Sequence, residues 1–227
     1  MSFYVSSIVS ALDTANISDM LVAKLLPYIQ KGLKTSLVEY KSSTFIIICQ
    51  LATKSIIAPS LINALASQVS RTLLKTPSLL REGVGCLIIL LQTQQSLDVG
   101  KKPFIHLCKV PDLVGVLKEI SSLYDISSFL EYLLLNLVST IIHSSAGEDA
   151  DVAGPVVCKE ILEAILQNIT LDADLSKMLA RAFLEEFLSF GKHYLEDTNK
   201  MAELGKSILP LIRLLETKYV GIYYIVW

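Results

Sequence analysis

Four dipeptides constrain this chain more than anything else in it: Ala58-Pro59, Thr76-Pro77, Val110-Pro111 and Gly154-Pro155. An apolar pattern of helical period follows each of them. Proline suits the first position of a helix, because its missing N–H would have no intrahelical partner there and its φ is already helical. Each dipeptide therefore predicts a helix start. Other starts carry a polar cap. Ser18 precedes "DMLVAKLLPYIQKGL" with Asp19 in the first turn, and Ser36 opens "SLVEYKSSTFIIICQLATKS". Asp125 or Ser127 caps "ISSFLEYLLLNLVSTIIHS", and Asp172 or Asp174 precedes "LSKMLARAFLEEFLSF". A last helix covers roughly 200–217. Strand signals are weak until the last nine residues.

The apolar spacing agrees. Leu61, Leu65, Val69 and Leu73 recur every four residues with Ile62 beside them, and Ile161, Leu162, Ile165, Leu166 and Ile169 repeat the pattern. Such a stripe, with polar residues on the opposite side, belongs to a helix that buries one face. First helices of successive pairs fall near 18, 59, 111, 155 and 200, in steps of 41, 52, 44 and 45. A period of about 40–47 residues per helical hairpin is the spacing of HEAT and armadillo repeats. "LLPYIQKGL" (25–33) and "ILPLIRLLE" (208–216) place Pro27 and Pro210 alike, about eight residues into their helices. A proline there predicts a kink.

The fold expected is all-α, an α-solenoid of about four to five HEAT-like helical hairpins, with an ordinary helical bundle as the competing fold. Residues 1–219 read as one solenoid segment. The long step of 52 predicts an inter-repeat insertion near 96–110. A polar, acidic loop is expected at 144–154, and 220–227 ("VGIYYIVW") is an atypical apolar tail.

The hydrophobic fraction is 52% and mean hydropathy is +0.53, so a membrane reading has to be met first. "TFIIICQLA" and "GCLIILLQ" are too short to span, and "FLEYLLLNLVSTIIH" carries Glu131 and Asn136. Buried helices explain all three, and no membrane association is expected. The N-terminus lacks a basic n-region and a small-residue cleavage site, so no signal peptide is expected. Without one, the Asn16 and Asn168 sequons carry no weight. Net charge is −2 from 20 basic and 22 acidic residues, and no basic run exceeds Lys101-Lys102. Clustered Lys and Arg are what phosphate backbones need. Any RNA association is therefore expected to be indirect, through partner proteins.

"GKKPFIHLCKVPDL" (100–113) gathers Lys101, Lys102, His106 and Cys108. A phosphate loop would need Gly at 95 and Ser or Thr at 102, where Gln and Lys stand. A metal centre needs three or four ligands, and His106 with Cys108 supplies two; His143 and His193 belong to other helical pairs. A Cys/His nucleophile needs the two side chains to meet, and at i and i+2 in a short turn they diverge. Pro103 and Pro111 are expected to bracket that turn. Cys158, in the first turn of a helix, is the better thiolate candidate, yet only Lys159 accompanies it. Cys49, Cys86, Cys108 and Cys158 contain no CxxC and read as reduced thiols. Glu148, Asp149 and Asp151 lack the spacing of a calcium loop. Glu185 and Glu186 read as a solvated polar face. No catalytic, cofactor-binding or metal residue is expected, nor an enzyme or a small-molecule substrate.

"VSALDTANISDMLVAKLLPYIQKGLKTSLVEY", "LASQVSRTLLKTPSLL", "GCLIILLQTQ", "GKKPFIHLCKVPDL", "LEAIL" and "ILPLIRLLETKY" together resemble the N-terminal region of the large U3 small nucleolar RNA-associated HEAT-repeat proteins of the small-subunit processome. The likeness runs in order from about Ser7 to Tyr219. It implies a nuclear, nucleolar scaffold in ribosome biogenesis. It further implies support for pre-18S rRNA processing and for RNA polymerase I transcription of ribosomal DNA, with processome proteins and the U3 snoRNP as partners. That family's chains are far longer, so this one is expected to be a fragment or truncated isoform. Residues 3–13 would then be a second helix without its partner, and exposed apolar ends would make the isolated chain poorly soluble. The alternative is a helical-repeat adaptor in transport or vesicle-coat assembly.

Overall fold

The computed structural model describes residues 2–14, 17–94, 99–143, 154–194 and 198–219. Their regular structure is helical, with no strand among them. The chain divides into two compact units, Met1–Phe129 and Leu130–Trp227.

Among the described residues of the first unit, seven α-helices run in order: α1 Ser2–Thr14, α2 Asp19–Lys34, α3 Val38–Lys54, α4 Pro59–Lys75, α5 Leu80–Thr93, α6 Lys101–Cys108 and α7 Leu113–Ser121, with a 3-10 turn, Pro77–Leu79, before α5. α8, Ser127–His143, begins at the end of this unit. Their packing alternates. α2 packs on α4 and α4 on α6; α1 packs on α3, α3 on α5 and α5 on α7; α2 meets α3 and α4 meets α5 across the layers. That is the two-layer stacking of an α-solenoid, in which each hairpin buries its apolar face on the next. α1 lies in the layer of second helices, where the sequence put residues 3–13.

The layering corrects one expectation. The segment read as an insertion is, from Lys101 to Cys108, a helix that buries Pro103, Phe104, Leu107 and Cys108 and packs on α4. α6 is the first helix of the third pair, and α7 is its partner. First helices start at 19, 59 and 101, so the step of 52 becomes one of 42. Pro111 was read as the helix start. It lies instead in the turn between α6 and α7, and Asp112 precedes α7 with φ of 55°. Pro103 sits inside the first turn of α6, where its missing N–H breaks no helical hydrogen bond. Residues 96–98 of the expected insertion lie outside the described residues, as do the acidic segment 144–153 and the tail 220–227.

The caps follow the sequence in most places. Ser18 Oγ accepts the Leu21 N–H at 3.4 Å, and Pro59 and Pro155 open α4 and α9 (Pro155–Asn168). Thr76-Pro77 opens the 3-10 turn instead of the α-helix itself. α3 starts two residues after Ser36, with Thr35 Oγ1 accepting the Leu37 N–H at 3.3 Å. Pro27 and Pro210 both lie inside helices, where each removes one backbone donor.

In the second unit, α9 packs on α11, Thr198–Lys218, and α11 packs on α10, Ala173–Tyr194. Of the two acids before α10, Asp172 is the cap: its Oδ1 accepts the Leu175 N–H at 2.7 Å. The end of α11 is tied to the end of α9. Lys218 Nζ donates to the carbonyls of Leu166, of Gln167 (3.1 Å) and of Ile169 (3.5 Å). Tyr219 Oη accepts the Leu171 N–H at 2.8 Å. A cation on the last carbonyls of a helix satisfies orphan acceptors and opposes the dipole.

Candidate interaction surface

The reactive side chains of 100–113 are dispersed by α6. Lys101 and Lys102 are exposed in its first turn, while Phe104, Leu107 and Cys108 turn into the core. His106 faces α4, with Nδ1 3.1 Å from Ser70 Oγ. Burial holds its pKa below the ordinary histidine range; the Ser67 backbone raises it, and Arg71, Lys109 and Lys102 depress it further. His106 and Cys108 thus leave α6 on different sides.

The other thiols are structural. Cys158 is fully buried in the first turn of α9. Cys86 donates to the Phe45 carbonyl at 3.7 Å. Cys49 and Cys86, 37 positions apart in sequence, come together between α3 and α5. The hydrogen bond to Cys49 and burial push the Cys86 thiol well up, whereas that bond lowers Cys49. Nothing in the spacing pointed to this pair, which only the α3–α5 packing creates.

His143 Nε2 lies 2.6 Å from Glu186 Oε2, joining α8 to α10, so Glu186 does more than solvate a helix face. Lys159 lies 3.9 Å from Glu163 on α9. His193's side chain and residues Glu148, Asp149 and Asp151 lie outside the described residues. Among the described residues no three His, Cys, Asp or Glu side chains gather as metal ligands. No described helix is long and apolar enough to cross a membrane.

What the first unit offers is a surface. On α2, Lys24, Tyr28 and Lys31 fall at i, i+4 and i+7, all exposed, with Tyr28 75% accessible. On α4, Arg71 and Lys75 are exposed at i and i+4, opposite the buried stripe of Ile62, Leu65, Ala66, Val69 and Leu73. On α6 and its cap, Lys102 and Lys109 are exposed at i and i+7. These three helices form one layer, so the cations share its outer side. α4 and α6 contain no Asp or Glu at all, and α2 has only Asp19, its first residue. None of these cations forms an ion pair with a described carboxylate; among the described residues, Lys54 pairs with Asp13 and Arg81 with Glu119, on the other layer.

The profile of the U3 small nucleolar RNA-associated protein 10 family matches residues 21–137. The chain belongs to that family. It is 48% identical over 220 residues to HEAT repeat-containing protein 1 of Homo sapiens and 39% identical over 219 residues to HEAT repeat-containing protein 1 of Danio rerio. Each alignment covers 96% of this chain and 10% of the relative, so the chain spans about a tenth of the length of these curated relatives. The family match begins in α2 and ends in α8, and so takes in α6 and the whole first-helix layer with its cations.

Proposed function

We propose that this chain is a non-enzymatic scaffold segment acting in ribosome biogenesis. It works in the nucleolus, within the small-subunit processome and with the U3 snoRNP and processome proteins as partners. It supports maturation of pre-18S rRNA and, more distantly, RNA polymerase I transcription of ribosomal DNA. The observation that carries this reading is the match of residues 21–137 to a profile named for association with U3 small nucleolar RNA, beside the alignment of 96% of the chain to HEAT repeat-containing protein 1 of Homo sapiens. The architecture supports it. A two-layer helical stack presents long, regular surfaces, and function in such proteins lies in what binds along them. We further propose that the helices between residues 2 and 219 are consecutive repeats of one solenoid, as the spacing of their starts suggests.

The reading predicts a processing defect. Depletion of this chain's transcript, followed by hybridisation of pre-rRNA, should raise precursors of 18S rRNA while precursors of the large-subunit RNA stay level. A nuclear run-on assay separates the transcriptional part of the role from the processing part. Unchanged precursors with mislocalised cargo or coat proteins would instead favour a transport adaptor.

A further inference from the structure

We propose that the outer side of the first-helix layer, α2, α4 and α6, binds single-stranded nucleic acid directly, with Lys24, Lys31, Arg71, Lys75, Lys102 and Lys109 on the phosphates and Tyr28 stacking on a base. It deepens the scaffold reading by naming a ligand, and it rests on charge placement that holds without that reading. The expectation of indirect RNA contact came from the lack of a basic run in the sequence. The layering removes that premise. Cations one or two helical turns apart on three different helices are brought to one side by the α2–α4 and α4–α6 contacts.

Three observations converge. First, the acids are unevenly divided between the layers. Asp13, Glu39, Glu82 and Glu119 lie on α1, α3, α5 and α7 among bases of that layer, whereas α4 and α6 carry only bases and α2 has the one acid Asp19. A surface of one sign without local counter-charges attracts a polyanion and releases its counterions. Second, the α4 and α6 cations are close enough to act on one group. Arg71, Lys109 and Lys102 all oppose the protonation of His106, which itself touches Ser70 of α4. Third, Tyr28 is 75% exposed and lies between Lys24 and Lys31 on the same side of α2. An aromatic ring set among cations is a stacking platform for an unpaired base, which an acidic peptide would not use. Helices of one layer pack about 8–10 Å apart. A strand crossing three of them therefore meets cations at intervals comparable to its own phosphate spacing.

The test uses the purified 227-residue chain and a labelled fifteen-nucleotide oligouridylate, followed by fluorescence anisotropy over a salt series. The triple variant K24E/R71E/K102E should weaken binding at least tenfold, and the slope of log affinity against log salt should fall by about 2, near 0.7 per cation removed. The charge-matched variant R181E/K192E/K206E, which alters exposed bases of the second unit, should stay within twofold of the wild type. Tyr28→Ala should weaken binding at least threefold with an unchanged salt slope. Circular dichroism checks that each variant keeps its helicity, and K24Q/R71Q/K102Q repeats the test with smaller perturbation. No binding to the oligonucleotide, equal loss in the two triple variants, or no effect of Tyr28→Ala would overturn the proposal. So would tighter binding of polyglutamate or of duplex RNA than of the single strand. Because only purified components are used, failure here leaves a processing defect on depletion intact.

Discussion

The side-chain amide of Gln94 accepts the backbone N–H of Ile57 at 2.8 Å, reaching from the end of α5 to the connector between α3 and α4. Its Nε2 donates to the carbonyls of Ala52 at 2.8 Å and Ser55 at 3.2 Å. Gln94 is buried, so these backbone groups have little water to fall back on. One side chain thus closes the C-terminal end of α3 and holds the entry to α4. Gln94→Ala should destabilise the chain by about 1–3 kcal/mol, the usual cost of leaving a buried polar group unpaired. Gln94→Glu keeps the acceptor but loses both donations, so it should fail to rescue. Urea denaturation of the two variants checks this; a midpoint unchanged in Gln94→Ala would remove Gln94 from the account.

Gly32 lets α2 approach α3. A Cβ there would lie 2.1 Å from Thr44 Oγ1 and 3.2 Å from Thr44 Cβ. Thr44 is buried, and its hydroxyl already donates to the Tyr40 carbonyl at 2.7 Å, so it has little freedom to move away. Two effects compete in Gly32→Ala. Helix propensity favours alanine by about 1 kcal/mol, and overpacking costs roughly 1–3 kcal/mol. The expected net result is destabilisation, seen as a lower thermal midpoint. A raised midpoint would mean that the helices part cheaply. The double variant Gly32→Ala/Thr44→Ala tests the cause, because it removes the clashing Oγ1.

Lys218 and Tyr219 fasten α11 to the end of α9 and to the turn beyond it. Lys218→Met should cost about 0.5–2 kcal/mol through loss of the cation on the last carbonyls of α9, and Tyr219→Phe about 1 kcal/mol through one lost hydrogen bond. Both hold one short segment, 166–171, from adjacent positions, so the double variant should lose less than the sum of the two. Strict additivity in chemical denaturation would show two independent contacts.

His106 makes stability depend on pH with a definite sign. Burial lowers its folded pKa below the ordinary value near 6.5, and the cations Arg71, Lys109 and Lys102 act in the same direction. The unfolded chain therefore binds more protons across that interval, and stability rises with pH there. The contribution is complete above about 6.5 and is lost as pH falls toward the folded value. His106→Gln should flatten this part of the profile. Thermal midpoints at pH 7.5 and 5.5 should differ less in the variant than in the wild type. An equal or larger difference in the variant would contradict the assignment.

The sequence carried the helix starts well where their cause is local. Proline at 59 and 155, and Ser18 and Asp172 as caps, act within one turn, and the structure places them there. It misled at 101–111, because α6 has only eight residues and Pro103 and Pro111 look like loop punctuation. The signal that could have found α6 was the period itself. A step of 52 is a normal repeat once a helix is allowed to start at Lys101. The cationic side of the first-helix layer and the Cys49–Cys86 pair were invisible for a different reason. Both join residues tens of positions apart, and only the stacking of alternate helices brings them together.

The most direct measurement of the functional claim is recovery of RNA with the chain. The tagged chain, expressed at low level and purified from nuclear extract at moderate salt, should enrich U3 small nucleolar RNA over U1 and U6 spliceosomal RNAs, together with processome proteins. Recovery of U3 no higher than that of the spliceosomal RNAs, with no processome protein enriched, would contradict it.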